Sequence, residues 1–202
     1  MRPLFIMHPP SISPTNIFLI GPMGSGKSAV GKHLAKMLDM QLYDSDTEIE
    51  RITGVDIPFI FEKEGEAKFR EREVEVINNL TQLNGIILAT GGGAILSPVT
   101  RENLKNRGKV VYLQTSVDQQ LERTRQTRHR PLLNTADPEK KLHDLLAIRA
   151  PLYQSIATLT VSTDHRRVHA VTTDIIHGLG LSAHSKLELT KLDDSSAHDT
   201  HP

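Results

Sequence analysis

The eight residues Gly21-Pro22-Met23-Gly24-Ser25-Gly26-Lys27-Ser28 constrain this chain more than any other feature. They match G-x-x-x-x-G-K-[S/T], follow the apolar run Ile17-Phe18-Leu19-Ile20, and precede a helical pattern with Val30, Leu34, Met37 and Leu38 on one face. A loop of this composition between a strand and a helix aims backbone N–H groups and the helix N-terminus at an anion, and its glycines let the chain bend closely around a phosphate. The expected ligand is a nucleoside triphosphate with magnesium. Gly24, Ser25 and Gly26 form the cradle, Lys27 reaches the outer phosphates and Ser28 offers a hydroxyl to the metal.

The rest of the chain repeats the strand-then-helix rhythm. Short apolar runs at Leu42-Tyr43, Ile86 to Thr90, Val110 to Leu113 and Thr158 to Val161 read as strands, with helical stretches between them carrying apolar positions such as Phe69, Val74, Ile77 and Leu80. Alternation of this kind predicts an α/β fold whose parallel sheet is covered on both faces, with the active site beyond the carboxyl ends of the strands. Residues 1–15 hold four of the eleven prolines and read as a flexible arm, residues 16–180 as one domain, and 181–202 as a polar, disordered tail.

Composition narrows the function by exclusion. With 24 basic and 24 acidic residues the formal charge is zero, which predicts neither a nucleic-acid nor a membrane partner. No apolar run approaches the roughly 20 residues that span a bilayer, and the absence of cysteine removes disulfides, thiolate metal sites and a cysteine nucleophile. These features read as a cytoplasmic protein. A switch GTPase would need an Asp with Gly three residues later, and no aspartate here has one; Thr190-Lys191-Leu192-Asp193 imitates a guanine motif but lies in the polar tail.

Four further constellations carry chemistry. Asp44-Ser45-Asp46 follows a short strand, where alternation along the chain can send one carboxylate to a metal and the other to an acceptor hydroxyl, while one of the pair caps the next helix. In Phe69-Arg70-Glu71-Arg72-Glu73, Glu73 can hold Arg70 from one helical turn away, although such charge runs usually form a solvated face. Gly91-Gly92-Gly93 lets a ligand approach the backbone at a strand end. Between Leu121 and Leu133 four arginines accompany one acid, a composition suited to closing over phosphates.

Taken in order, the phosphate loop, Asp-x-Asp, Phe-Arg with Glu three residues on, Gly-Gly-Gly, Arg130-Pro131-Leu132-Leu133 and Arg149-Ala150-Pro151-Leu152-Tyr153 resemble the shikimate kinase family over residues 17 to about 178. The resemblance implies a P-loop α/β/α sandwich with a five-stranded parallel sheet, like nucleoside monophosphate kinases, with a mobile lid. It implies transfer of the ATP γ-phosphoryl to the 3-hydroxyl of shikimate, on the route to chorismate and aromatic amino acids, by a monomer using Mg2+. Residue by residue, it makes Asp46 the base that binds the acceptor hydroxyls. Arg70, Arg149 and the N–H of Gly92 become the acceptor clamp, and Lys27 and Arg130 the groups that stabilise the transferred phosphoryl. Ser28 and Asp44 fall to magnesium, and Arg123 and Arg166 to the adenine side. Ala29 stands where many members have Thr, which removes a side-chain contact to the inner phosphate and leaves the backbone N–H. Two alternatives remain open at this point: a gluconate kinase-like enzyme, which would not need both arginine motifs, and a nucleotide-gated binding module without turnover.

Overall fold

The computed structural model describes residues 15–125 and 137–182. Five strands, β1 (Ile17–Ile20), β2 (Gln41–Asp44), β3 (Ile86–Ala89), β4 (Lys109–Gln114) and β5 (Leu159–Ser162), form one sheet in the order β2-β3-β1-β4-β5, every pair parallel. Burial follows position. Of the inner strands, β1 and β3 are buried throughout and β4 is buried over Val110–Leu113 because both of their faces are covered, whereas the edge strands β2 and β5 are partly exposed.

Period-two alternation divides the inner strands between two cores. Phe18, Ile20, Leu88, Val110 and Tyr112 pack on one face against α3 (Ile57–Leu80), α4 (Pro98–Arg107) and α6 (Pro138–Ile156). Ile17, Leu19, Ile87, Val111 and Leu113 pack on the other against α1 (Lys27–Leu38) and α7 (Val168–Gly178). The remaining helices are α2 (Ser45–Thr53), which packs on α3, and α5 (Val117–Thr124), which packs on α6. Side chains cap several helices where the sequence allows: Asp56 accepts from Phe59 N, Ser97 from Thr100 N, Ser116 from Gln119 N and Asp137 from Lys140 N.

Three details differ from the sequence reading or go beyond it. On α3 the buried stripe is Phe69, Glu73, Val76, Ile77 and Leu80, so a carboxylate stands among the apolar positions and Val74 lies to one side. The same helix is broken at Gly65, whose φ of 83° and ψ of 170° are open to glycine alone. Finally, Leu181, read as the first tail residue, belongs to the fold: Gly180 turns left-handed (φ 64°), Leu181 N bonds to Ile176 O at 2.9 Å, and its side chain packs on the α7 core. That pattern is a helix-terminating turn with its hydrophobic contact.

Placing β1 between β3 and β4 reverses the direction of strand order there, and such a switch point opens a crevice at the carboxyl ends. Register then aligns the chemistry. Asp44 pairs with Ala89, two residues before Gly91, and Ile20, one residue before Gly21, pairs with Tyr112.

Candidate active site

The loop between β1 and α1 needs glycine for conformation. Gly21, Gly24 and Gly26 have φ of 144°, 76° and 87°, a range in which a Cβ is strained. Space matters as well at Gly21, where a Cβ would lie 2.5 Å from the Leu113 carbonyl oxygen. Gly26, the N-cap of α1, brings no side chain to cap the helix, so the first N–H groups of α1 suit an anion. The Lys27 ammonium donates to the carbonyls of Gly21 and Pro22 at 2.8 Å each and to Ser25 Oγ at 3.3 Å.

Ser28 Oγ donates to Asp44 Oδ2 at 2.8 Å, while Asp44 Oδ1 accepts from Asp46 N at 3.1 Å. The two aspartates part company for a reason other than strand alternation. β2 ends at Asp44, which stays extended and caps α2, and Asp46 already lies in the first helical turn. A hydroxyl beside a capping carboxylate thus faces the phosphate loop, and Asp46 turns to the glycine turn after β3: its Oδ1 would lie 2.7 Å from a Cβ on Gly91. That oxygen is buried and has no partner among the described residues. Burial raises the Asp46 pKa and neighbouring Asp44 adds to the effect, against the opposing fields of Lys27 and Arg70.

The three glycines make close approach possible. A Cβ on Gly91 would collide with Glu73 Oε1, and one on Gly93 with the guanidinium of Arg70. Gly91 N donates to Ser45 Oγ at 2.9 Å, which ties the turn to the start of α2. Arg70 Nη1 donates to Glu73 Oε2 at 2.6 Å, and Arg70 Nε and Nη2 both donate to Glu66 Oε1, at 3.2 and 2.9 Å. The solvated-face expectation fails for this pair, since the Glu73 side chain is 2% exposed. It holds for the companions on the same helix, where Lys68 pairs with Glu71 and Arg72 reaches across the Gly65 break to Glu64. Burial raises the Glu73 carboxyl more than Arg70 lowers it, and Glu73 Oε1 also lacks a partner among the described residues.

From the far side α6 contributes a buried Arg149, whose Nη1 donates to Gly92 O at 3.3 Å and whose Nε is unpartnered among the described residues. One turn on, the Tyr153 hydroxyl donates to the same carbonyl at 2.5 Å, with its ring stacked on Tyr112. Burial pushes the Tyr153 phenol well above its ordinary value, so it stays a donor. Sequence reasoning quoted Tyr153 in a motif without giving it a part; its i+4 spacing from Arg149 was the available signal. Ser45 was passed over in the same way between its two aspartates.

The candidate nucleotide-side arginines are already engaged. Arg123 Nη1 donates to Gly24 O at 3.0 Å and Thr163 Oγ1 at 3.1 Å, and its Nη2 to Thr163 O at 2.6 Å, so it braces the phosphate loop against the end of β5. Arg166 pairs with Asp174 of α7 at 2.8 Å. Arg130 lies outside the described residues.

A phosphate loop, a capping Asp on its serine, and two arginines converging with a second Asp on one glycine turn narrow the possibilities sharply. The family model for shikimate kinase matches residues 23–179. The chain belongs to the shikimate kinase family. A shikimate kinase of Alteromonas mediterranea is 53% identical over 166 residues, which span 82% of this chain and 97% of that one. Among solved structures, shikimate kinase from Acinetobacter baumannii in complex with shikimate is 51% identical, with a TM-score of 0.81 over 82% of this chain and 93% of that chain. A gluconokinase from Sinorhizobium meliloti aligns at 18% identity and a TM-score of 0.55, a likeness of fold alone. The five-stranded parallel sheet and its flanking helices are therefore those of a shikimate kinase, as the resemblance implied.

Proposed function

We infer that this chain is an ATP-dependent kinase that phosphorylates the 3-hydroxyl of shikimate, giving shikimate 3-phosphate and ADP. The observation that carries the reading is the convergence of Arg70 and Arg149 on the Gly91–Gly93 turn beside the unpartnered Asp46 oxygen. Two guanidinium groups suit an acceptor that bears a carboxylate, because each can donate a fork of N–H groups to that anion. The gluconate kinase-like alternative gives no reason for the enclosed Arg70–Glu73 pair, and identity above 50% to named shikimate kinases also speaks against it.

In this reading Asp46 takes the proton of the 3-hydroxyl as its oxygen bonds to the γ-phosphorus, and the bond to the ADP oxygen breaks. A base raised by burial is matched to that proton. Lys27 moves from the loop carbonyls to the phosphates. Ser28 and Asp44, 2.8 Å apart, are a hydroxyl and a carboxylate of the hard-oxygen kind magnesium uses, and the metal, when bound, neutralises phosphate charge. Arg70, Arg149 and Gly92 N–H hold the acceptor, Gly24 to Ala29 cradle the phosphates, and Arg123 keeps the loop in shape. Arg130 and Arg166 are assigned by family motif. We further propose a cytoplasmic monomer whose product feeds chorismate synthesis, with residues 16–180, and Leu181 packed against them, as the catalytic unit. Among the described residues no helix is long and apolar enough to cross a membrane.

The test is a coupled ADP-release assay with ATP and magnesium, run in parallel on shikimate, quinate and gluconate. Shikimate is expected to be turned over and gluconate not. Equal turnover of gluconate, or none with shikimate, defeats the reading.

A further inference from the structure

We infer that Glu66 is a built-in competitor for the acceptor carboxylate: it holds the outward edge of Arg70 and sets how tightly and how selectively a carboxylate-bearing acceptor binds. This rests on the reading of Arg70 as the carboxylate clamp. Arg70 carries two acids that differ in kind. Glu73 takes Nη1 from within the core, its side chain 2% exposed, so leaving would strand both charges. Glu66 takes Nε and Nη2 with one oxygen, and its side chain is 51% exposed. Those two N–H groups form the side-on edge that carboxylates engage as a fork. A carboxylate already sits where an incoming one would make its best contact.

The exchange is easy because of where Glu66 stands. Gly65 breaks α3, so Glu66 and Arg70 are one turn apart at the start of the second segment. An exposed i,i+4 ion pair contributes little and can release its acid into water. Arg70 does not depend on it for its position: the guanidinium lies against Gly93 so closely that no Cβ would fit, sits 5.1 Å from the Phe69 ring centroid, and keeps Glu73. Loss of Glu66 therefore leaves an oriented cation with an open edge.

Binding of shikimate and of its uncharged methyl ester is measured by calorimetry on wild type, Glu66→Gln, Glu71→Gln and Arg70→Ala. Glu71 is the control for charge alone, since it lies one residue from Arg70 in sequence and pairs with Lys68 instead. Glu66→Gln is expected to tighten shikimate about two- to fivefold, the range an exposed ion pair spans, with the ester unchanged and Glu71→Gln near wild type. Weaker or unchanged shikimate binding in Glu66→Gln overturns the inference and makes Glu66 a positioning or idle residue. Equal tightening in Glu71→Gln overturns it as well, in favour of a general field. Arg70→Ala should weaken shikimate more than about tenfold. If it does not, the clamp reading itself has failed, a result distinct from failure of the competitor alone.

Discussion

The phosphate side of the site is eight consecutive residues whose polar groups are mostly backbone, whereas the acceptor side gathers Asp46, Arg70, Glu73, Gly92 and Arg149 from α2, α3, the turn after β3, and α6. The two also differ in how well they are satisfied. Around the phosphate loop the charged groups have partners: Lys27 on two carbonyls, Asp44 on Ser28 and Asp46 N, Arg123 on Gly24 and Thr163. On the acceptor side Asp46 Oδ1, Glu73 Oε1 and Arg149 Nε are buried without partners among the described residues. A buried polar atom left alone costs stability. In the proposed reading those three atoms await the acceptor, which assigns the larger functional penalties to that side.

Asp46→Asn should produce the largest effect, a loss in kcat of about 10²-fold or more, with ATP affinity little changed. Its thermal stability should move the other way. The folded pKa of Asp46 is raised, chiefly by burial, so the group's contribution to stability is complete below the ordinary carboxylate value and disappears as pH rises through the raised one. Asparagine does not titrate. The melting temperature of the variant relative to wild type should therefore climb from pH 4 to pH 8, which differential scanning measurements across that range check. An advantage that grows toward acid would contradict the burial argument.

Two glycine substitutions sharpen the contrast between the sides. Gly26→Ala places a Cβ in open space but at φ 87°, so its cost is backbone strain of roughly 1 to 2 kcal/mol, and ATP binding should suffer first. Gly91→Ala has no positive φ to resist it, yet its Cβ meets Glu73 Oε1 and Asp46 Oδ1. Overpacking there should cost about 1 to 3 kcal/mol and raise KM for shikimate more than for ATP. Paired KM measurements decide it, and a common rise for both substrates in both variants would show that the two sides are coupled.

The same contrast explains what is legible in the sequence alone. The phosphate loop was legible because its chemistry is contiguous and its strand and helix flank it directly; the sheet was legible because inner strands such as Ile86-Ile87-Leu88-Ala89 are apolar throughout. Arg70 was ambiguous because a charged run looks alike on a solvated face and at a buried one. Only the packing of Phe69, Val76 and Ile77 shows that Glu73 points inward with them. The break at Gly65 and the brace from Arg123 to Gly24, 99 positions apart, depend on tertiary contacts that local periodicity does not encode. Asp44 and Asp46 diverge as their spacing suggests, but through the end of β2 at Asp44 and the first turn of α2 at Asp46, not through alternation along a strand.

The smallest expected effect concerns Arg166, and it separates the nucleotide-side arginines from one another. Arg123 is part-buried and makes three hydrogen bonds, one of them to the phosphate loop itself, so its geometry bears directly on the cradle. Arg166 is 32% exposed in its side chain, and its ion-pair partner Asp174 is 51% exposed. Such a pair is well screened and contributes on the order of 0 to 1 kcal/mol. Arg166→Ala should leave the melting temperature nearly unchanged and weaken ATP by less than about threefold. Arg123→Ala should weaken ATP more than that, because it frees Gly24 and Thr163 from their common partner. Dissociation constants for ATP in the two variants make the comparison. If Arg166→Ala proves the more damaging, the guanidinium leaves Asp174 to reach the nucleotide, and the adenine-side assignment implied by the family motif outweighs the ion pair seen here.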